Sequence, residues 1–127
     1  MNWDDAYNLT LKNKNYAIYA TARIPERENL FKWVGPVEQI NYVFFAKQDR
    51  NIQINKLDDA KAYRVACYKG DVMETYLKNN GFKKLVVMKT NMEGFNALLK
   101  NKADLWIANE NQLTYFQLQN NMPYSYI

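Results

Sequence analysis

A regular alternation of short apolar segments and amphipathic segments between positions 63 and 119 constrains the fold most. Apolar segments of strand length lie at 63–68, 85–88 and 103–108, and the segments between and after them have the three- and four-residue spacing of helices. Parallel strands joined through helices form right-handed crossovers. The sequence therefore predicts an α/β fold with a mainly parallel sheet and flanking helices.

Capping residues define the predicted helices. A helix over 71–80 ends at Gly81, Thr90 and Glu93 have the form of a capping box ahead of the next helix, and the last helix covers 110–119. In open α/β sheets, ligands bind beyond the carboxyl ends of the strands, where the helices begin. We therefore expect a binding site at the turns 69–71, 89–91 and 109–110.

The first sixty residues are less regular. Trp3, Ala6, Tyr7 and Leu11 are spaced as in an amphipathic helix. Pro25 and the pair Gly35-Pro36 break the chain into an irregular connection. The remaining elements predicted here are strands at 16–20 and 42–46 and a helical turn at 57–60 that is capped by Asn55.

Charge and composition exclude several classes of function. The net charge is +4, but the longest basic run is the pair Lys83-Lys84 and acids are interleaved with bases throughout, so a nucleic-acid partner is not expected. The chain has no histidine and one cysteine, Cys67, which leaves no cysteine–histidine nucleophile pair, no ordinary zinc site and no internal disulfide. We expect no metal and no cofactor.

The sequence also has no segment of the membrane type. No apolar run approaches the roughly 20 residues needed to span a bilayer. The first residues have neither the basic nor the apolar region of an export signal. We expect a soluble chain whose export signal is absent from the sequence given.

Gly70 lies between a predicted strand and a predicted helix, in the segment Tyr68-Lys69-Gly70-Asp71-Val72. Backbone N–H groups at such a helix start are suited to bind an anionic ligand. Two alternatives remain open: the glycine serves only its backbone angles, and Asp71 is an N-cap.

The order of the elements carries a resemblance. Arg23-Ile24-Pro25-Glu26-Arg27-Glu28 is followed by 31–36, an aromatic strand, Lys69-Gly70 and Ala103-Asp104-Leu105-Trp106. Over essentially all 127 residues, this pattern resembles the bacterial extracellular solute-binding proteins of the polar amino-acid type, which have the two-lobed type II periplasmic binding fold.

The resemblance implies a receptor that closes two lobes over a small polar or anionic solute by hinge bending. It implies a periplasmic or extracytoplasmic location and, as partner, the permease of an ABC-type membrane transporter. Residues 1–38 would be part of lobe one and the crossover, and 39–127 would be lobe two, with 124–127 as the start of the return strand. The chain would then be truncated, and a homodimer with exchanged segments would supply the missing strands.

The family's binding residues carry over position by position. Its carboxylate-binding arginine falls on Arg27, with Arg23 as a helper, because a guanidinium donates two parallel hydrogen bonds to a carboxylate. The alternative is a surface Arg27 paired with Glu26 or Glu28. On the other lobe, the resemblance implies ligand contacts at the start of the helix after Gly70-Asp71 and at Asn109.

Three positions depart from the family pattern. Ala22 replaces a small hydroxyl residue, Asp71 replaces a threonine, and Asn109 replaces the acid that receives the ligand's ammonium group, although Glu110 follows directly. These departures argue against a standard α-amino acid as the ligand. Asp104 resembles the family's structural acid more than a catalytic one.

The resemblance is also compatible with two other functions. The fold serves as a sensory or protein-interaction module in some receptors, and a few relatives act as lyases on small acids. For a lyase, Asp71 or Glu110 would be the acid or base, but neither has an evident orienting partner in the sequence. We therefore expect a binding protein and not an enzyme.

Overall fold

The computed structural model describes residues 1–123, Ser125 and Ile127. The chain forms two compact units, Met1–Gln39 and Ile40–Ile127. The return segment expected at 124–127 includes Tyr124 and Tyr126, which lie outside the described residues. None of the described helices has the length and apolar character needed to cross a bilayer.

The first unit contains one α-helix, α1 (Trp3–Lys12), as the sequence predicts. The side chain of Asn2 caps it by accepting the Asp5 N–H at 2.8 Å, and acidic residues occupy its first turn, where they interact favourably with the helix dipole. A short 3-10 turn follows at Pro25–Arg27. No residue of this fully described unit is buried.

The strand predicted at 16–20 is wrong. This segment has no strand structure, and Ala20 adopts a left-handed backbone with φ of 58°. Its aromatic residues are largely exposed, Tyr16 at 56% and Tyr19 at 80%. A strand needs a partner for its backbone groups, and residues 1–39 contain no other strand.

The second unit is built on one sheet. Its strands are β1 (Tyr42–Phe45), β2 (Val65–Tyr68), β3 (Leu85–Met88) and β4 (Leu105–Asn109), in the order β1-β4-β2-β3. Strand β2 pairs in parallel with β3 and β4, whereas β1 is antiparallel to β4. The predicted mainly parallel sheet with flanking helices is confirmed.

Helices cover both faces of this sheet: α2 (Val72–Asn79), α3 (Asn91–Leu99) and α4 (Glu110–Gln119). Side chains alternate between the two faces along a strand, which divides the core in two. The core beside α3 and α4 contains Ala66, Phe95, Leu98, Trp106, Ala108 and Phe116. The core on the other face, beside α2, contains Val65, Cys67, Leu77, Phe82, Leu105 and Ile107.

A longer 3-10 segment, Leu57–Ala62, precedes β2 and explains why that strand begins later than predicted. It is stabilised by Asp59, whose Oδ2 accepts the backbone N–H groups of Asn55 and Lys56 at 3.1 Å each. The predicted cap at Asn55 is therefore wrong. The capping carboxylate comes from inside the turn, and Asn55 is one of its donors.

Asp104 joins the amino ends of β2 and β4. Its carboxylate accepts hydrogen bonds from Arg64 Nε at 2.9 Å, Arg64 Nη2 at 2.8 Å, the Arg64 backbone N–H at 3.0 Å and Arg50 Nη2 at 3.0 Å. Hydrogen bonding to the Arg64 side chain is the main reason that the pKa of Asp104 lies well below its usual range. Its contacts are those of a structural residue.

Candidate functional site

The carboxyl ends of β2, β3 and β4 meet at one edge of the sheet because these strands are parallel. The predicted turns 69–71, 89–91 and 109–110 all lie along it. The antiparallel β1 adds its amino end, since Tyr42 is the register partner of Asn109. We call this region the carboxyl edge and define it by Asn41, Tyr42, Gly70, Asp71, Thr90, Asn109 and Glu110.

Tyr42 connects two of the predicted site residues. It lies opposite Asn109 in the β1–β4 pairing, and its hydroxyl donates to Asp71 Oδ1 at 3.4 Å. Asp71 occupies the N-cap position of α2, but its side chain makes no capping hydrogen bond. The structure thus places the Asp71 carboxylate beside Tyr42 at the carboxyl edge.

The Gly70 N–H does not point at open solvent. It donates to Glu74 Oε2 at 2.6 Å, and Lys78 Nζ donates to the other oxygen of the same carboxylate at 2.6 Å. These bonds, with Lys78 as the larger cause, lower the pKa of Glu74. Gly70 has φ of 77°, so the turn also needs glycine for its backbone. The donor expected to bind a ligand anion is occupied by the chain's own glutamate.

The other two helix starts are closed in a similar way. Glu93 accepts the Lys89 N–H at 3.0 Å, and Thr90 Oγ1 accepts the Glu93 N–H at 3.1 Å, so the predicted capping at Thr90 is confirmed. Asn109 is the N-cap of α4, and its Oδ1 accepts the Asn111 N–H at 2.8 Å. The Asn109 oxygen is therefore committed to its helix.

Glu110 is the acid next to Asn109 at this edge. Its Oε1 accepts a hydrogen bond from Asn41 Nδ2 at 3.2 Å. Its backbone N–H donates to the backbone carbonyl oxygen of Asn41 at 3.3 Å. The group is exposed. Carboxylates at the carboxyl edge are acceptors only, so the edge is suited to solute groups that donate hydrogen bonds.

The remaining predicted residues, Ala22, Arg23 and Arg27, belong to the first unit. Arg23 forms a bidentate pair with Glu28, with Nε to Oε2 at 2.9 Å and Nη2 to Oε1 at 2.6 Å. This pair raises the pKa of Arg23 and lowers that of Glu28. Glu28 is therefore the partner of Arg23 and not of Arg27.

Arg27 is half-buried and has no carboxylate within 4.0 Å among the described residues. Its guanidinium lies 5.0 Å from the ring centroid of Trp3 and 5.2 Å from that of Tyr7. The alternative in which Arg27 pairs with Glu26 or Glu28 is wrong.

The hydroxyl that Ala22 lacks is not supplied by its neighbour Thr21. Ala22 is half-buried and has no polar side-chain atom. The Oγ1 of Thr21 is buried and, in the described part of the chain, has no hydrogen-bond partner. Thr21 therefore does not present its hydroxyl to solvent.

The described side chains contain no group of three histidine, cysteine, aspartate or glutamate residues placed to hold a metal ion. Cys67 is buried in β2, and burial is the main cause that raises the pKa of its thiol to about 11. A buried thiol with that pKa is a poor nucleophile at neutral pH.

Sequence reasoning missed Tyr42, Glu74 and the aromatic pair under Arg27. Tyr42 could have been found as the first residue of a strand that pairs with the segment ending at Asn109. Glu74 lies at the third position of α2, where a glutamate commonly closes a helix start. Trp3 and Tyr7 have the four-residue spacing of one helix face. That spacing does not indicate that the distant residue Arg27 lies beside them.

Three solved structures show the fold. An ancestral arginine-binding protein bound to arginine superposes with a TM-score of 0.66 at 20% identity, covering 78% of this chain and 45% of its own. The isolated domain 2 of TmArgBP has a TM-score of 0.57 at 17% identity, covering 64% of this chain and 88% of its own. A histidine kinase sensor domain with similarity to periplasmic binding proteins has a TM-score of 0.60 at 23% identity, covering 65% of this chain and 36% of its own.

These likenesses establish a fold of the periplasmic-binding-protein type. The chain spans less than half of the ancestral protein and of the sensor domain, at 45% and 36%. No family model matches the sequence, and a search of curated proteins finds no match.

Proposed function

We propose, on the basis of the periplasmic-binding-protein-like fold, that this chain binds a small polar solute that carries a carboxylate. In the first unit, Arg27 is the proposed carboxylate-binding residue. In the second unit, the carboxyl edge is the proposed binding surface for groups that donate hydrogen bonds. The chain binds the solute without breaking a bond in it. Structures of the same fold include binding proteins with bound arginine and with bound glutamine.

The observation that carries the proposal is the environment of Arg27. A half-buried guanidinium that has no acid within ion-pair distance in the described residues retains its donors for a ligand. The neighbouring Arg23 is committed to Glu28, so it is at most a secondary contact. Arginine is the side chain best suited to a carboxylate because its two parallel N–H groups match the two oxygens.

The carboxyl edge supports a solute with donor groups. The Asp71 and Glu110 carboxylates lie at this edge, whereas the Gly70 N–H is bound by Glu74. Gly70, Asp71 and Asn109 are the proposed binding residues of the second unit, with Glu110 in the ammonium-binding role that Asn109 cannot fill. Ala22 contributes only apolar contact.

We infer that residues 1–38 are part of lobe one and that 39–127 are lobe two with the start of the return strand. The match to an isolated second domain, which covers 88% of that domain, supports this assignment. In this view the protein works as the extracytoplasmic receptor of a membrane transporter and delivers the solute to the permease. A homodimer with exchanged segments would complete the first lobe.

A sensory role is the second candidate. The observation that favours it is the likeness to a histidine kinase sensor domain, at a TM-score of 0.60. In that role the same solute site would control a protein partner instead of delivering cargo. For a lyase activity, Asp71 and Glu110 would be the acid or base; in the structure they accept hydrogen bonds from the Tyr42 hydroxyl and from Asn41 Nδ2, and no observation favours catalysis.

The proposal is tested by the variant Arg27→Gln. A thermal-shift screen of L-amino acids and small carboxylic acids first identifies the solute, each acid being paired with its neutral amide. Isothermal calorimetry then measures the dissociation constant. We expect Arg27→Gln to weaken binding roughly 100-fold, because it removes a bidentate, charge-assisted pair.

The matched control is Lys32→Gln, which removes the same charge at an exposed position of the same unit. Its dissociation constant should equal that of the wild type. Equal binding of acids and amides, or equal effects of the two variants, would contradict the role of Arg27. Light scattering on the same samples measures the oligomeric state.

A further inference from the structure

Two aromatic rings of α1 lie against the proposed carboxylate-binding arginine. Trp3 and Tyr7 are four residues apart and stack on each other with ring centroids 4.8 Å apart and an interplanar angle of 23°. The Arg27 guanidinium lies within about 6 Å of both centroids, the range in which cation–π attraction is significant.

From this arrangement we propose that Trp3 and Tyr7 are positioning residues that hold the Arg27 guanidinium so that its N–H edge is available to a carboxylate. The inference deepens the function proposed above and rests on it. The guanidinium carbon lies beside the stacked pair, about equally far from the two centroids, and attraction of a cation to aromatic rings leaves its N–H donors unpaired. Such contact restricts the side chain without occupying the donors that a ligand needs.

The comparison with Arg23 supports this interpretation. Both arginines lie near an indole ring, Arg27 at 5.0 Å from Trp3 and Arg23 at 5.7 Å from Trp33. Only Arg23 also has an acid, Glu28, at 2.6 Å. Among the described residues, therefore, one guanidinium of this short segment is paired with a carboxylate, and the other lies beside two rings with no acid within 4.0 Å.

Two further rings, Phe31 and Trp33, extend the aromatic contacts of Trp3 and Tyr7. The ring of Phe31 packs edge-on against Tyr7 at 5.2 Å, and Trp33 packs edge-on against Phe31 at 5.6 Å. Restricting a flexible side chain before binding lowers the entropy lost when the ligand arrives. Trp3 and Tyr7 thus act on the ligand through Arg27 and do not need to touch it.

The test uses the full chain and the Nε–H resonance of Arg27 in a ¹H–¹⁵N NMR spectrum, assigned by its disappearance in Arg27→Lys. Ring currents should shift this resonance in the wild type. We expect Trp3→Leu and Tyr7→Leu each to reduce the shift and Trp3→Phe to preserve most of it. Backbone amides of α1 and sheet amides of the second unit report whether each variant remains folded in both units.

Acetate is the carboxylate probe, with acetamide as its neutral control. Titration should move the Arg27 Nε–H resonance in the wild type, and each leucine variant should weaken acetate binding about fivefold. Tyr16→Leu removes an exposed aromatic ring of the same unit and should change neither the shift nor the affinity.

The outcomes separate the two proposals. An Arg27 resonance that is unaffected by Trp3→Leu and Tyr7→Leu in folded protein overturns the positioning role. A normal ring-current effect without any response to acetate supports the aromatic arrangement and overturns the carboxylate role of Arg27. Equal losses in the leucine variants and in Tyr16→Leu also count against positioning, because they would reflect general disturbance of the unit.

Discussion

The nearly buried carboxylate of Asp104 holds Arg64 and Arg50 at the amino ends of β2 and β4. These contacts explain why this acid is structural, as its place in the sequence indicates. Asn109 and Asp71 are less predictable, because the sequence cannot tell whether a polar side chain caps its own helix or faces a ligand. Asn109 caps α4, whereas Asp71 accepts from Tyr42 across the sheet.

We expect Asp104→Asn to lower the free energy of unfolding at pH 7 by about 2 kcal/mol, since it removes a nearly buried, charge-assisted contact. The lowered pKa of Asp104 means that its stabilisation is present above the unfolded-state pKa, near 4, and is lost as the pH falls. The difference between variant and wild type should therefore shrink below about pH 4. Urea unfolding of both proteins at pH values from 3 to 7 measures this difference in the free energy of unfolding.

The exposed Asp4→Asn serves as the control for Asp104→Asn and should change stability little at any pH. A difference between Asp104→Asn and wild type that stays constant from pH 3 to 7 would contradict the electrostatic explanation.

At the level of elements, the sequence predicts what is local and misses what depends on a distant partner. The four strands of the sheet and the helices between them follow from apolar periodicity and capping residues, and all are present. The segment 16–20 has the same apolar pattern but no neighbouring strand in its unit, so it is irregular. Strand formation requires a second segment to pair with, whereas the apolar periodicity of a segment describes that segment alone.

The packing of α3 on β4 can be tested at Gly94. A Cβ at this position would lie 2.6 Å from Trp106 Nε1 and 2.8 Å from its Cδ1, and Trp106 is fully buried. We expect Gly94→Ala to reduce the free energy of unfolding by about 2 kcal/mol through overpacking, although alanine favours a helix. Urea unfolding followed by circular dichroism measures the loss.

Met92→Ala, at an exposed position of the same helix, should stay within about 0.5 kcal/mol of the wild type. If Gly94→Ala proved as stable as Met92→Ala, α3 would have to be free to move away from β4.

For the whole molecule, the two units differ in how their structure is supported. All residues of the two buried cores belong to the second unit, and none of the first 39 residues is buried. A ten-residue helix without buried contacts is marginal in water. The regular fold and its predictability are therefore concentrated in 40–127, whereas the proposed Arg27 site lies in the less supported unit.

Hydrogen exchange should reveal this difference directly. We expect backbone amides of α1 to exchange at least 100-fold faster than those of β2 and β4, because local opening of an unburied helix requires little free energy. Mass spectrometry of peptic peptides measures both regions in one sample. Equal protection of α1 and β4 would contradict the view that the first unit lacks a core.

Glu74 has a consequence for any anion that approaches the β2–α2 turn. Its carboxylate binds the Gly70 N–H and is tethered to the same chain. It acts as an intramolecular competitor, and short tethers correspond to effective concentrations on the order of millimolar or higher. A dilute anionic solute at this turn has to displace the Glu74 carboxylate, which belongs to the same chain and stays nearby. Anions that bind the Gly70 N–H weakly are therefore disfavoured at this turn.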